Sequence, residues 1–210
     1  MIRSIPSVSI PETHSHLITV MDAIPKPWGF GGNGGPPAPD CGSWLLAEAK
    51  LAKYLGDGFR GSSIVYNYRS GLGDAGIDDD FMVLEFNPMK QDYAQMLETV
   101  LPRYISAFRA YVAFVGDVEW GLADWEESRK AVPNGRYGVY RIYPVHYFGE
   151  QLCQRAFQRT PEEMIRLLSK ECERVELLDG GVMLVATNKV ISLAEANQIN
   201  AWMWKVLKHD

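Results

Sequence analysis

The chain has 210 residues, of which 47% are hydrophobic, and its 21 Lys and Arg against 26 Asp and Glu give a formal net charge of −5. This length and composition are typical of a soluble globular protein that buries a sizeable core without disulfides or a structural metal. The acidic balance argues against a general nucleic-acid binder, which needs a basic face to displace counterions from phosphates.

The first fifty-odd residues predict a strand, a loop and a helix. The run His16–Met21 predicts a short strand. Residues 25–39 predict a long flexible loop, because their prolines and glycines support neither a helix nor a strand ladder. Residues 43–55 predict a helix that ends at Gly56, where a left-handed glycine is expected.

The middle of the chain predicts strands around one long helix. Alternating apolar residues predict strands over 63–69 and 80–86. Asn87 is then expected to cap a helix whose first residue is a proline, and Pro102 to kink or end it. The apolar run 108–115 predicts a central strand.

Local end signals define the predicted elements of the second half. Thr160 and Ser192 each begin a capping box, and the turn sequence at Asp179 is typical of a hairpin. The predicted elements are a helix over 118–130, a strand over 137–143, a helix over 161–170, hairpin strands over 174–178 and 182–187, and a helix over 193–207.

These elements predict an α+β fold over residues 1–210, a single domain with a largely antiparallel mixed sheet and several helices packed on it. The three cysteines, Cys41, Cys153 and Cys172, have no metal-binding spacing, which favours free thiols in a reducing compartment. The N-terminal residues lack the apolar core of a signal peptide, and the apolar runs are too short to span a bilayer. The expected location is therefore the cytoplasm.

Two motifs have a familiar form but weak support. The stretch from Gly29 to Gly34 matches G-x-G-x-x-G, but prolines flank it where dinucleotide binding needs a strand and a helix, so no cofactor is expected. His14 and His16 have the spacing of two metal ligands on one strand. A metal site needs further ligands that the sequence does not supply, so these residues are interpreted as a polar strand entrance.

No catalytic signature stands out, and the chain is not expected to be an enzyme. It lacks a G-x-S-x-G elbow, and none of its cysteines lies in a thiolate-activating sequence. The consecutive carboxylates Asp78, Asp79 and Asp80 lack the alternate spacing and glycine turn of a calcium loop.

Two acidic clusters suit a protein–protein surface, because aromatic residues supply binding energy and acids steer a basic partner. The other interpretation is that the tryptophans are core residues and the acids are merely solvated. The candidate binding residues are Asp78, Asp79, Asp80, Asp117, Glu119, Trp120, Asp124, Trp125, Glu126 and Glu127.

A longer run of motifs supports a family resemblance. The run begins with Tyr140-Arg-Ile-Tyr-Pro-Val-His-Tyr-Phe-Gly149, which is followed by Leu152-Cys153 and the Thr160 capping box. It continues with Val175-Glu-Leu-Leu-Asp-Gly-Gly-Val-Met-Leu184 and Ser192-Leu-Ala-Glu-Ala-Asn197. The stretch from Tyr137 to Leu207 resembles the immunity protein 52 family of bacterial polymorphic-toxin immunity proteins, and it shares features with a neighbouring type VI immunity family.

The resemblance implies a small α+β protein that protects a toxin-carrying bacterium and its kin. In that family the cognate toxin is typically a restriction-endonuclease-fold nuclease delivered by a type VI secretion system. An acidic inhibitor is expected to block its basic cleft without chemistry, as a monomer or weak homodimer that touches neither nucleic acid nor membrane.

Two other functions stay open. The first is a metal-dependent hydrolase that uses Asp78, Asp79, Asp80 or Glu119 with His14 or His16, which requires these distant side chains to converge. The second is a structural component of a phage or secretion apparatus, for which self-assembly is the discriminating property.

Overall fold

The computed structural model describes residues 1–6, 9–40, 46–67, 69, 73, 76–132 and 134–208, with backbone alone for residues 76, 119, 122–126 and 129. The chain divides into two units. Unit 1 comprises residues 1–74 and 78–110, and unit 2 comprises residues 75–77 and 111–210. That all 210 residues form one domain stays a prediction.

Unit 1 is an antiparallel sheet with helices. Its strands lie in the order β2-β3-β4-β1, and each described pair of neighbours is antiparallel. The elements are β1 (Ile2–Ser4), α1 (Ile10–Asp22), β2 (Leu46–Lys50), β3 (Phe59–Asn67), β4 (Asp80–Phe86), α2 (Tyr93–Gln95), a π-helical turn (Met96–Val100) and α3 (Leu101–Ala107).

Unit 2 is also an antiparallel sheet with helices. Its strands lie in the order β5-β6-β8-β7, again with antiparallel neighbours, so the predicted α+β class with an antiparallel sheet is confirmed. The elements are β5 (Val112–Val115), α4 (Val118–Ala131), β6 (Val145–Phe148), α5 (Glu150–Phe157), α6 (Pro161–Leu168), β7 (Arg174–Leu178), β8 (Gly181–Val185) and α7 (Leu193–Lys208).

Helix α1 replaces the strand predicted over His16–Met21, and that prediction was wrong. Ser9 caps the helix, because its hydroxyl accepts the amide hydrogen of Glu12 at 3.3 Å. One face is buried and has helical spacing, which outweighs the strand preference of the β-branched residues on the helix. The buried residues of this face are Ile10, His14, Leu17 and Met21.

Strand β2 occupies part of the predicted helix 43–55, and that prediction was also wrong. Ala47 and Ala49 are buried while Leu46, Glu48 and Lys50 are exposed, so burial alternates as in a strand. Five consecutive residues pair with β3, and this ladder outweighs the helical preference of an Ala-, Glu- and Lys-rich sequence. Residues 43–45 of the predicted helix lie outside the described residues.

The long helix of unit 1 begins later than the sequence predicts. Asn87 forms a turn, with its Oδ1 accepting from the amide of Met89 at 2.9 Å, and Asp92 is the residue that caps α2. The helix does not end at Pro102. Instead, the π-helical turn precedes the proline, and α3 continues beyond it to Ala107.

The end signals of unit 2 were predicted well. The capping box of Thr160 begins α6, and that of Ser192 begins α7. Asp179 and Gly180 both have positive φ in the β7–β8 turn, as a tight hairpin requires. The strand predicted over 137–143 was wrong, because that segment is irregular and β6 begins only at Val145.

The segment 25–39 contains turns and irregular backbone, as predicted for a loop, and two of its aromatic side chains belong to the core. Trp28 and Phe30 are fully buried, and the Tyr104 hydroxyl donates to the carbonyl of Trp28. The amides of Phe30 and Gly31 donate to the carbonyls of Met21 and Ile24, at 3.0 Å each. The Gly32 amide donates to the carbonyl of Asp22 at 2.9 Å, so amides of this segment satisfy carbonyls at and just beyond the C-terminal end of α1.

Candidate functional site

The predicted acidic cluster at Asp78–Asp80 is mostly internal to unit 1. Asp80 is buried, and its carboxylate accepts from both terminal nitrogens of Arg69, at 2.9 and 2.6 Å, and from the amide of Asn67 at 3.0 Å. Asp79 is buried too, and its Oδ2 lies 3.9 Å from Nη1 of Arg3. The assumption that these two carboxylates are exposed needs correction, because both compensate cations inside the fold.

Asp78 differs from its two neighbours, because it is only half-buried. Its Oδ2 accepts from the amide of Gly73 at 3.1 Å. A partner-binding role for the three aspartates stays a prediction. The structure ties two of them to the packing of unit 1.

His14 and His16 do not form a pair, because α1 places them on different faces. His14 is buried; its Nε2 donates to the carbonyl of Pro36 at 2.9 Å, so its Nδ1 accepts from the Tyr66 hydroxyl at 3.0 Å. Burial lowers the pKa of His14, with the Pro36 hydrogen bond acting in the opposite direction. His16 is exposed. Both ring nitrogens of His14 are therefore engaged within the protein.

No group of three or more His, Cys, Asp or Glu side chains is placed to hold a metal ion within the part of the chain that the structure describes. The hydrolase alternative draws on His14, Asp79 and Asp80, and each of these has protein partners already. Glu119, the other carboxylate of that proposal, has only its backbone described.

The second acidic cluster lies on α4 of unit 2, where Trp120 belongs to the core. Its side chain is buried with Tyr143 and Ala196, and Phe114 stacks on Tyr143 with ring centroids 4.2 Å apart. Trp120 is therefore a supporting residue and not an exposed contact. The side chains of Glu119, Asp124, Trp125 and Glu126 lie outside the described part of this helix.

Two acids near the ends of α4 are exposed. Asp117 immediately precedes the helix, and Glu127 accepts from the Tyr140 hydroxyl at 2.7 Å. This hydrogen bond holds the Glu127 carboxylate at the surface in a fixed position. The sequence interpretation as exposed acids holds for both residues.

Exposed apolar residues also occur on and beside α4 and α7. Val118 is 57% exposed, Val190 60% and Leu193 43%, and Trp120 of α4 and Ala196 of α7 belong to one buried cluster. Binding surfaces commonly combine exposed apolar side chains with polar and charged ones. The α4–α7 surface is defined here as Asp117, Val118, Glu127, Val190, Leu193 and Glu195.

Glu195 gives this surface a further fixed negative charge. It is exposed, and its carboxylate accepts from the amide and the hydroxyl of Ser192, at 2.8 and 2.7 Å. These hydrogen bonds hold the pKa of Glu195 below its usual value. The capping box of α7 thus keeps the carboxylate ionised and oriented.

A groove in unit 1 has no counterpart among the sequence predictions, because a strand is predicted where α1 lies. The groove has a volume of about 350 Å³ and runs between one face of α1 and the segment 34–38. Pro11, Ser15, Ile18 and Asp22 of the lining have the spacing of one helix face. A helix predicted for this segment would have placed them together. Its lining residues are Pro11, His14, Ser15, Ile18, Thr19, Asp22, Gly34, Pro36, Pro37 and Ala38.

Comparisons with known protein families, curated proteins and solved structures find no match to this chain. In the described residues no helix is long and apolar enough to cross a membrane.

Proposed function

We propose that this protein is an immunity protein, which binds and neutralises a toxin of its own bacterium in the cytoplasm. The proposed partner is a basic nuclease effector of a type VI secretion system. The observation that carries the proposal is the α4–α7 surface, which combines exposed apolar residues with carboxylates that hydrogen bonds hold in place. The resemblance in sequence over Tyr137–Leu207 covers β6 to α7 of the same unit.

The rigidity of this surface favours binding. Trp120 of α4 is buried in one cluster with Tyr143 and with Ala196 of α7, and Phe114 stacks on Tyr143, so both helices are anchored by packed side chains. A preformed surface loses little conformational entropy when a partner docks, and the free energy of apolar burial is retained as affinity. Val118 and Leu193 are the proposed anchors.

Charge supports a basic partner. Residues 117–131 contain five acidic residues and two basic ones. A local excess of negative charge accelerates encounter with a positive surface, and the effect weakens as salt rises. A nuclease cleft is positive because it holds a polyanion. The acidic helix therefore competes with the nucleic acid for that cleft, and no bond is made or broken.

The experiment is purification of the tagged chain from its native bacterium under conditions that induce type VI secretion, with mass spectrometry of the proteins retained. We expect a stoichiometric basic partner whose nuclease activity disappears when the purified chain is added back. Recovery of the chain with no such partner, or a partner whose activity is unaffected, would contradict the proposal.

Matched variants locate the surface. Val118→Asp and Leu193→Asp introduce a charge at the proposed anchors, whereas Leu177→Asp does so at a comparably exposed residue of β7, 56% exposed. We expect the double variant V118D/L193D to lose partner binding while L177D retains it. Equal loss in both, with circular dichroism showing intact folds, would remove the α4–α7 surface from the interface.

A further inference from the structure

The groove of unit 1 is held open by contacts within the protein. Two hydrogen bonds join its walls: His14 Nε2 donates to the Pro36 carbonyl at 2.9 Å, and the Gly34 amide donates to Asp22 Oδ1 at 2.9 Å. Gly35 lies against Phe30 and Ile18 so closely that a Cβ there would fall 2.4 Å from the Phe30 ring. The walls are thus held at a fixed separation before any ligand arrives.

The hydrogen-bonding groups of the walls are unbalanced, because several of their donors are already used. The His14 N–H and the Gly34 N–H donate across the groove, and the Thr19 hydroxyl donates to the Ser15 carbonyl at 2.8 Å. The Ser15 hydroxyl is the remaining side-chain donor of the lining. Pro36 and Pro37 have no N–H groups but contribute carbonyl oxygens, of which that of Pro36 already accepts from His14. The walls therefore offer acceptors in excess of donors, which favours a ligand rich in N–H donors.

Charge points to the same class of ligand. Asp22 is the charged residue of the lining among the described residues, and it lies at the C-terminal end of α1. Its Oδ1 accepts from Gly34, which orients the carboxylate toward the wall segment. A carboxylate in a partly enclosed, acceptor-rich groove pairs best with an ammonium or guanidinium group.

The dimensions suit an extended chain. The helical wall runs from Pro11 to Asp22, about 16 Å at the helical rise per residue, which is the length of roughly five residues of extended peptide. Apolar Pro11, Ile18 and Ala38 line the same groove, so its remaining contacts suit small apolar side chains. An open groove of this length with a carboxylate at one end matches a short extended peptide better than a compact solute.

We propose that this groove binds an extended peptide segment that carries a Lys or Arg side chain, with the cation paired to Asp22. The site lies in unit 1 and does not depend on the function proposed for the α4–α7 surface. It is a second interaction surface, specific for a basic peptide.

The test measures binding of a fluorescein-labelled hexapeptide of alternating Ala and Lys to the full chain by fluorescence anisotropy. The comparison peptide has Glu in place of Lys. We expect the Lys peptide to bind, with amide NMR shifts at Ile18 and Ala38, and the Glu peptide not to bind. Absence of binding by the Lys peptide, equal binding of the two peptides, or shifts confined to other residues would overturn the proposal.

Variants separate a specific site from general charge attraction. Asp22→Asn keeps an oxygen for the Gly34 amide and removes the charge, and Ser15→Trp fills the groove from an exposed helical position. The matched control is Glu12→Gln, an equal change of charge at an exposed α1 residue outside the lining. D22N and S15W should weaken binding about fivefold, and E12Q hardly at all.

Equal weakening by D22N and E12Q would show general electrostatic attraction and overturn the proposal. Competition by spermidine as strong as that by unlabelled peptide would do so as well, because it would assign the groove to a polyamine. Circular dichroism of each variant verifies that the fold is intact, and Ser15→Ala, which leaves the groove open, is expected to bind normally.

Discussion

Arg69 and Asp80 form a two-pronged ion pair at the ends of neighbouring strands, with Nη1–Oδ1 and Nη2–Oδ2 distances of 2.9 and 2.6 Å. The carboxylate also accepts the backbone amide of Asn67, the last residue of β3, while Asp80 is the first residue of β4. The pair therefore fixes the point at which β3 ends and β4 begins. Because Asp80 is buried, the Arg69 guanidinium relies on it for charge compensation.

Replacing Asp80 by Asn is expected to destabilise the protein by about 3 kcal/mol, because removal of one partner leaves a desolvated cation. Urea unfolding at neutral pH measures the change, with Asp57→Asn at an exposed position as the control. A loss below about 1 kcal/mol for D80N would show that solvent already compensates Arg69, contrary to this account.

We expect the folded protein to lose stability in mild acid because His146 is buried. Its Nδ1 accepts from the Tyr143 amide at 3.1 Å, its ring stacks on Phe148 with centroids 4.0 Å apart, and burial lowers its pKa to about 3. In the unfolded chain the ordinary value of 6.5 applies, so below that pH the unfolded state takes up a proton that the folded state excludes. Stability is therefore complete above pH 6.5 and falls as the pH drops toward 3.

Between pH 7.5 and 5.5 this single histidine should cost about 1.4 kcal/mol of unfolding free energy. His14, with its pKa also lowered by burial, acts in the same direction. The His146→Asn variant keeps a hydrogen-bond acceptor and should lose this part of the pH dependence, measured by urea unfolding at both values. The same pH dependence in variant and wild type would contradict the assignment.

Gly29 is expected to be intolerant of a side chain. An added Cβ would lie 2.2 Å from the Ile24 carbonyl oxygen and 2.3 Å from that of Met21, so Gly29→Ala should cost about 3 kcal/mol. Gly32 has φ +79° but open space around it, so Gly32→Ala should cost only about 1 kcal/mol. Thermal unfolding of both variants checks the order, and a reversed order would contradict the close packing at Gly29.

Charge reversal on α4 tests the steering that the proposed function requires. We expect the triple variant Asp124→Lys, Glu126→Lys, Glu127→Lys to associate with the captured partner about tenfold more slowly at low salt. The salt dependence of its association rate should also be weaker. Surface plasmon resonance at two ionic strengths measures both quantities.

The control for charge alone is a variant in which three exposed acids of unit 1 are replaced by Lys: Glu12→Lys, Asp57→Lys and Glu98→Lys. It changes the net charge equally and should slow association much less. If the two triple variants behave alike, net charge rather than the position of α4 governs the encounter, and the assignment of this helix to the interface fails.

Sequence predicted the elements whose signals are local. The capping boxes at Thr160 and Ser192 and the turn at Asp179 were placed correctly, because a few neighbouring residues decide each of them. Helix α1 and strand β2 were assigned the wrong type, since their burial patterns arise from packing partners distant in sequence. Tertiary contacts overruled the intrinsic preferences of both segments.

The candidate site was harder to predict for a related reason. Whether an aspartate is solvated or buried depends on a cation elsewhere in the chain, and Asp79 and Asp80 find theirs at Arg3 and Arg69. The exposed acids Asp117 and Glu127 were recognised, but the other residues of the α4–α7 surface come from segments far apart in sequence. Only the buried cluster that contains Trp120 and Ala196 connects these segments.

Titration of the captured nuclease with the purified chain decides whether the protein neutralises its partner by stoichiometric binding. We predict that nuclease activity falls linearly and disappears at one chain per nuclease, and that V118D/L193D does not inhibit. Complete inhibition by a small fraction of an equivalent would show turnover by an enzyme, and undiminished activity at a large excess would show that no neutralising complex forms. Either result would contradict the binding account.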